Sequence, residues 1–475
     1  MRREARNFQG KAGEDRQARG VLRRRPAGFG LGLAVLAGAA GCASPRATPA
    51  DPEAPVFAPF SERVPATEAT FAEYARIALE RNPAPRAAYA RFHAALQRVP
   101  QARALPHPSL SFEYFLEQTD TRYRVGLTQM LPAFGKRGLR ENAAAAEAEA
   151  TGRLFEAEQL LLVERLAKAF YDYGFLARAI DVTGQHLRLL EELEKAVDAR
   201  YRSGTASLPD AIAVRIERDR MADRLASLRD QRQAQSAGLA ALLNLPDGAT
   251  PPVPRMEDPR PLPDDDAALA AALDAANPEL LALDARRAAA RHRAALARRE
   301  GRPDLMLGAG AMVMPGMDGE RDATDIGLMV GVSLPVRRGR IRAAEREAEA
   351  LQEAAELERD ALRQRLRADL SAAIFEFRDA ERRRTLFADA LLPQARQALT
   401  VTRQAYADGG AEFTAVIEAQ RRLLDLELRL ERAASDREIA YYRILRLIGQ
   451  PLGWPSGDPP ARRPTEGSNR LESNQ

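Results

Sequence analysis

The amino-acid sequence predicts a mainly α-helical protein with a small β part, built from two copies of one unit. Apolar residues recur at helical and heptad spacing over segments of up to roughly 65 residues. The pattern changes to strict alternation in only four short stretches, and landmark residues recur in the same order about 200 residues apart. Of the 475 residues, 29% are charged and 6% aromatic, which suits long, closely packed helices. No stretch reaches the ~18 to 20 apolar residues of a spanning helix, which excludes a polytopic helical membrane protein.

The net positive charge of the chain comes from its N-terminal segment. Residues 1–41 contain nine Lys or Arg and three Asp or Glu, and the rest of the chain contains 62 basic and 64 acidic residues. Three arginines, Arg23 to Arg25, precede a short apolar run that ends at Gly41. This arrangement predicts a secretory signal peptide over residues 1–41. The remaining charge predicts a solvated helix surface, and no nucleic-acid partner is expected.

Cys42 is the only cysteine, so an internal disulfide is excluded. The segment Ala39-Ala40-Gly41-Cys42 resembles a bacterial lipobox, in which the cysteine is acylated, for example with palmitate, and becomes the mature N-terminus. Ala39 departs from the usual Leu, so ordinary cleavage beside an incidental cysteine stays open. Residues 42–67 are then a lipidated tether, and Ala43 favours sorting to the outer membrane.

The mature chain contains two repeats, predicted over residues 68–245 and 267–450. A linker rich in Pro and Asp joins them over residues 246–266, and a disordered tail is predicted over 451–475. The landmarks that recur are Asn82-Pro83 with Asn277-Pro278, Leu131-Pro132 with Leu334-Pro335, and Tyr201 to Gly204 with Tyr406 to Gly409.

Each repeat is predicted to hold three helices. The first spans about 35 residues (68–103 and 265–300), the second is very long (138–202 and 340–407), and the last again has about 36 residues (208–243 and 411–448). The long helices would reach roughly 95 Å, and the two shorter helices stacked end to end would match them. Pro393 should interrupt the second long helix. One predicted coiled-coil seam consists of Ile341, Ala344, Ala348, Leu351 and Ala355.

Two hairpins are predicted, over residues 108–131 and 304–334. Each of the four strands alternates an apolar face with a polar or small one, which is typical of outer-membrane strands. Four strands cannot close a barrel, and open sheet edges are not tolerated in lipid. Three copies would supply a 12-stranded transmembrane β-barrel. A soluble pair of hairpins that caps a helical bundle remains the alternative.

Together these features resemble the TolC family of outer-membrane efflux channels over roughly residues 68–450. The resemblance rests on the order, duplication and spacing of the elements behind a lipobox. Phe134-Gly135-Lys136-Arg137 is similar to the segment that re-enters the helical barrel in the heavy-metal branch, whereas the second copy departs at residues 336–340. The resemblance implies a homotrimer with an α-barrel of coiled-coil helices that crosses the periplasm.

The resemblance also implies a function and partners. The protein would be the exit duct of a tripartite, RND-type efflux system or of a type I secretion system. It would passively conduct substrates from an inner-membrane pump and a periplasmic adaptor across the outer membrane. The adaptor-docking tip would comprise Tyr201, Arg202, Ser203, Gly204, Thr205, Tyr406, Ala407, Asp408, Gly409 and Gly410. Plain helix capping by the two glycines is the alternative.

No catalytic constellation supports an enzyme. The sequence has no Walker A or metalloprotease motif, and its four histidines, His93, His107, His186 and His292, are widely spaced. No cofactor or metal is therefore predicted. Thioethers can bind Cu(I), but barrel packing is the preferred interpretation of the five methionines near the second hairpin: Met306, Met312, Met314, Met317 and Met329.

A rival hypothesis from another class is a non-pore periplasmic coiled-coil adaptor or scaffold lipoprotein. Such a protein would have no need of four amphipathic strands in two matched hairpins. The cargo is not encoded in any recognisable motif, because the pump selects it.

Overall fold

The computed structural model describes residues 69–116, 121–132, 135–246, 248–256, 259–314 and 322–450. The predicted signal peptide, Cys42, the tether, the C-terminal tail, Phe134, Met317 and most of the two hairpin turns lie outside these ranges. Within them, none of the helices has the length and apolarity needed to cross a membrane.

The first repeat contains five helices and two strands in the described residues. Their order is α1 (Phe71–Arg81), α2 (Pro83–Leu96), α3 (Arg98–Arg103), β1 (Ser109–Tyr114), β2 (Tyr123–Leu131), α4 (Lys136–Arg202) and α5 (Leu208–Leu242). The long helix α4 has 67 residues, which corresponds to roughly 100 Å. The bounds of α4 and α5 agree with the predicted ones to within two residues.

The second repeat follows the same order. Its elements are α6 (Asp266–Ala276), α7 (Pro278–Glu300), β3 (Leu305–Met314), β4 (Ala323–Val332), α8 (Arg338–Thr385), a π-helical turn (Leu386–Leu391), α9 (Leu392–Ala407) and α10 (Phe413–Leu447). The interruption predicted at Pro393 is confirmed. Proline has no backbone N–H and its ring clashes with the carbonyl four residues earlier, so the turn before it widens.

The prediction of one unbroken helix at the start of each repeat was wrong. The helices break at Asn82-Pro83 and at Asn277-Pro278. Both asparagines have an extended backbone, with ψ of 132° and 120°, because the residue before a proline is disfavoured in the helical region. Each asparagine then caps the following helix, since its Oδ1 accepts from a backbone N–H of that helix.

The same asparagines join the two shorter helices of each repeat end to end. Asn82 Nδ2 donates to the carbonyl of Leu242 at 2.9 Å, and Asn277 Nδ2 donates to the carbonyl of Leu447 at 2.9 Å. Therefore α5 abuts α2 and α10 abuts α7. End-to-end stacking was predicted, but only the part of the first helix after the proline takes part in it.

The largest hydrophobic core surrounds these joints. It includes Phe71, whose ring packs against the rings of Phe170 and Tyr442. The linker between the repeats packs on this core, since the hydroxyls of Tyr74 and Tyr173 donate to the carbonyls of Pro252 and Pro251. A second core lies nearer the ends of the long helices and includes Val197, Val214 and Phe413.

The four strands form a single antiparallel sheet in the order β1-β2-β3-β4. The two hairpins are therefore joined through the β2–β3 pair, in which Leu127 lies opposite Ala309. At the base of the sheet, the buried Lys136 Nζ donates to Asp304 Oδ1 at 2.9 Å and to the carbonyl of Arg302 at 2.8 Å. This ion pair connects the start of α4 to the strand β3.

Candidate functional site

One face of the sheet is apolar on all four strands. Directly opposed residues in antiparallel strands lie on the same face, and the register aligns Phe112 with Val125, Ala311 and Ile326 in one row. Val313 on this face is buried, whereas eleven other large apolar side chains of the face are between 36% and 87% exposed. They are Leu110, Phe112, Tyr114, Val125, Leu127, Leu305, Leu307, Ile326, Leu328, Val330 and Val332. The predicted alternation is therefore present, and most of its apolar side is uncovered by the part of the chain that the structure describes.

The opposite face of the sheet carries small, polar and thioether side chains. Gly126, Gly308, Gly310, Gly327 and Gly331 lie on it, together with an ion pair between Arg124 and Glu113 at 3.1 Å. An additional Cβ at Gly310 would approach the carbonyl oxygen of Val125 to 3.0 Å. Glycine thus permits close pairing of β2 and β3 and leaves this face shallow.

The sheet has two open edges. Among the residues that the structure describes, β1 pairs only with β2, and β4 pairs only with β3. Because an even number of antiparallel strands separates the edges, β4 of one copy and β1 of a second copy would meet in antiparallel orientation. The geometry is suited to closure by further copies.

The predicted tip residues lie in two helix-ending turns of the same construction. Gly204 and Gly409 have φ of +76° and +78°. Thr205 N donates to the carbonyl of Arg200 at 2.8 Å, and Gly410 N donates to that of Ala405 at 2.7 Å. These bonds define Schellman caps, so the capping interpretation of the glycines applies. Docking at these residues stays a prediction.

The two turns lie at the same end of the helical region. The guanidinium carbon of Arg200 lies 4.7 Å from the centre of the Tyr406 ring, and Arg200 Nη1 is 3.5 Å from the Tyr406 carbonyl. Tyr406 in turn contacts Phe413, with ring centres 5.4 Å apart. The structure therefore brings together tip residues that are about 200 residues apart in sequence.

Further from the tip, a buried polar cluster links α4 to α10. His186 is 3% exposed, with Nε2 at 2.8 Å from Glu427 Oε2 and Nδ1 at 3.0 Å from Gln420 Nε2. Burial alone would raise the pKa of Glu427. Hydrogen bonds from His186 and Arg396 outweigh burial and hold that pKa below its ordinary value. These partners of His186 lie more than 200 residues away in the sequence, so sequence spacing could not identify them.

Within the described part of the chain, no three His, Cys, Asp or Glu side chains gather as a group that could hold a metal ion. The charged groups instead form ion pairs between helices. Arg421 pairs with Glu217, and Arg218 pairs with Glu194 at 2.7 Å. The first pair joins α10 to α5 and so connects the two repeats, and the second joins α5 to α4 within the first repeat.

The chain matches a known protein family in both repeats. The family model described as Outer membrane efflux protein matches residues 75–245 and 269–450, once in each repeat. The chain therefore belongs to this family, the TolC family of channels, which is not a family of enzymes. No curated protein sequence matches the chain significantly.

Solved structures share the fold at low sequence identity. The outer membrane protein VceC of Vibrio cholerae is 19% identical, with a TM-score of 0.67 over 80% of this chain and 96% of that one. A membrane protein from Pseudomonas aeruginosa is 22% identical, with a TM-score of 0.71 over 84% and 93%. The open state of the MtrE outer membrane channel of Neisseria gonorrhoeae is 18% identical, with a TM-score of 0.66 over 83% and 94%.

Proposed function

We propose that this chain is a lipid-anchored outer-membrane exit duct that works as a homotrimer with a periplasmic adaptor and an inner-membrane pump. Such a duct would belong to a tripartite efflux system of the RND type or to a type I secretion system. The exposed apolar face of the four-stranded sheet is the observation that carries the proposal. In water this face would be a costly and aggregation-prone surface, whereas in lipid it is the expected one.

Trimerisation would give the backbone groups at both open strand edges hydrogen-bonding partners. In hydrocarbon an unpaired strand edge leaves backbone groups without partners, each at a cost of several kcal/mol. Pairing β4 of one protomer with β1 of the next removes both edges and retains the antiparallel order. Three copies of four strands give twelve strands, an even number as in other bacterial barrels.

The helix α8 supports the same assembly. The described residues leave its predicted seam largely uncovered, since Leu351 is 59% exposed and its neighbours on the seam are only partly buried. By contrast, Val416 and Leu423 on α10 are buried against the other helices. The uncovered seam of α8 is the kind of surface that a neighbouring protomer would bury in a helical barrel.

The adaptor contact is assigned to the tip. Both helix-ending turns are exposed and lie at the end of the helical region farthest from the sheet along α4. An adaptor that reaches across the periplasm would meet Tyr201 to Thr205 and Tyr406 to Gly410 first. Acylation of Cys42, which lies outside the described residues, would add an anchor beside the barrel.

Cross-linking tests the assembly directly. Cysteines introduced together at Phe112 on β1 and Leu328 on β4 should be joined between protomers by a short bifunctional maleimide. The expected product is a ladder that ends at the trimer in outer-membrane fractions. Each single-cysteine variant serves as the control and should give no trimer band. A cross-link formed only within one chain, or a ladder that continues past the trimer, would rule out this closure.

A matched pair of arginine substitutions tests which face meets lipid. Leu328→Arg should destabilise the barrel by ~2 to 4 kcal/mol if its position lies near the bilayer midplane. Gly327→Arg places the same charge on the next residue and on the other face, where an added Cβ meets nothing within 4 Å. We expect L328R to lose the heat-modifiable oligomer and substrate extrusion, and G327R to retain both. Equal effects would contradict a lipid-facing apolar surface.

A further inference from the structure

Three methionines form a cluster on the glycine-rich face of the sheet. Met130 on β2 lies directly opposite Met306 on β3. Met329 on β4 lies opposite Gly308, two residues along β3 from Met306. Directly opposed side chains have Cβ atoms about 4.5 to 5.5 Å apart, and diagonal neighbours remain within reach of long side chains. The three thioethers therefore occupy adjoining positions on three consecutive strands.

Glycines make room for these side chains. The Cε of Met329 lies 3.0 Å from where a Cβ of Gly308 would stand, and the Cε of Met306 lies 3.7 Å from the corresponding point at Gly331. Met329 thus extends over β3 and Met306 extends over β4, so that the two side chains pass beside each other. A larger residue at Gly308 would displace Met329, which ties the cluster to the glycines around it.

The register weighs against simple packing as the reason for these methionines. Packing against lipid or a core would place them among the Leu, Ile and Val side chains of the apolar face. They lie instead on the opposite face, with Met130 43% and Met329 47% exposed. Thioether sulfur is a soft ligand that selects soft monovalent cations such as Cu(I), and a neutral donor set does not require deprotonation.

We propose that Met130, Met306 and Met329 form a binding site for a soft monovalent metal cation, Cu(I) or Ag(I). Each protomer carries one such site near the base of the sheet, where the strands meet the helical region. This inference rests on the proposed function in one respect: the glycine-rich face must line a channel. The bound cation would then be cargo in transit. No electron transfer or bond cleavage is involved, because the thioethers bind the ion reversibly in its monovalent state.

Two other methionines of the same face provide an internal control. Met312 lies opposite Arg124, whose Nη2 is 3.2 Å from the Met312 sulfur. A cationic guanidinium at that distance occupies the sulfur lone pair and repels a second cation. Met314 lies at the end of β3 opposite Ala323, without a thioether across the pair. Neither residue should contribute to the site.

Silver binding to the purified full-length oligomer in detergent tests the proposal, with silver nitrate in chloride-free buffer as the probe. The triple variant Met130→Leu, Met306→Leu, Met329→Leu keeps side-chain volume nearly constant. We expect it to lose about one bound silver ion per chain relative to the unaltered protein, since three soft ligands are removed. The control variant Met312→Leu, Met314→Leu should bind as the unaltered protein does. Cys42 is common to all three proteins, so any silver that it holds cancels.

The outcomes separate this inference from the proposed function. Unchanged silver binding in the triple variant, or an equal loss in the control, would overturn the site even if the protein is a trimeric duct. X-ray absorption of the bound silver should show sulfur neighbours that disappear in the triple variant. If the triple variant fails to form the oligomer, Met306→Leu alone carries the test, since Met306 lies directly opposite Met130 and diagonally across from Met329. Retained binding in that variant would equally overturn the proposal.

Discussion

The two repeats build the same joint from different residues. The last helix of each repeat, α5 or α10, is followed by a residue with left-handed backbone conformation beside the Asn-Pro break. This residue is Asn244 in the first repeat and Gly449 in the second. Asn244 Nδ2 donates to the carbonyl of Arg81 at 3.3 Å. At Gly449 the equivalent carbonyl, that of Ala276, would lie only 2.1 Å from an added Cβ. The first joint is thus bridged by a side chain, and the second is closed by direct approach of the backbone.

The repeats also differ in their long helices. Helix α4 runs without a break for 67 residues, whereas its counterpart in the second repeat is interrupted by the π-helical turn at Leu386–Leu391. A π-helical turn weakens the local hydrogen-bond ladder and marks a point where a helix can bend. The first repeat therefore has a continuous long helix, and the second has a long helix that can bend at the π-helical turn.

The largest expected effect is at Gly449. Gly449→Ala forces a Cβ into the Ala276 carbonyl and adds left-handed strain, at a cost of about 3 to 5 kcal/mol. Asn244→Ala at the matched position loses one hydrogen bond and the residue's tolerance of positive φ, at a cost of about 1 to 2 kcal/mol. Thermal unfolding followed by circular dichroism of the purified proteins should rank them in that order. Equal losses would break the distinction between the two joints.

Alanine substitutions of the bridging asparagines, Asn82 and Asn277, should differ less in their effect on stability. The larger loss is again expected in the second repeat. Asn277 is 1% exposed and Asn82 is 8% exposed. Asn277→Ala removes a helix cap and leaves the Leu447 carbonyl buried without its donor, at a cost of about 2 to 4 kcal/mol. Asn82→Ala should cost about 1 to 2 kcal/mol, because water reaches that site more readily.

Aspartate variants separate the two roles of these asparagines. Asn277→Asp keeps an oxygen that caps α7 but removes the amide donor to Leu447. We expect its loss of stability to lie close to that of Asn277→Ala, since the bridge accounts for most of the effect. If N277D is as stable as the unaltered protein, capping alone is the function of the residue.

The sequence was sufficient for the architecture, but not for these joints. The repeated helical pattern predicts α4 and α5 to within two residues, and strict alternation predicts the faces of all four strands. Apolar periodicity on both sides of Asn82-Pro83 predicts one helix there, although proline disfavours a helical predecessor. The same Asn-Pro signal is present in both repeats, and in both the local effect of proline breaks the helix.

The buried polar contacts could not have been predicted from the sequence. His186 meets Glu427 across 241 residues, and Arg421 meets Glu217 across 204. Such pairs depend on how two helices are packed and rotated against each other, which spacing along one helix does not specify. The cluster of Met130 with Met306 was missed for a similar reason, because the pairing of β2 with β3 joins the two repeats.

The smallest expected effect on stability is at the tip, where it can distinguish capping from docking. Gly204→Ala and Gly409→Ala should each cost ~1 to 2 kcal/mol through left-handed strain, since an added Cβ meets nothing within 4 Å at either position.

Gly204→Asn and Gly409→Asn should cost less, because asparagine tolerates that backbone conformation, yet they add a larger side chain to the exposed turn. If both turns dock the adaptor, each Asn variant should reduce substrate extrusion more than its loss of stability explains. If only one of the two Asn variants reduces substrate extrusion, only that turn contacts the adaptor, although the two turns have the same geometry. Unchanged extrusion in both would leave the glycines with capping as their only role.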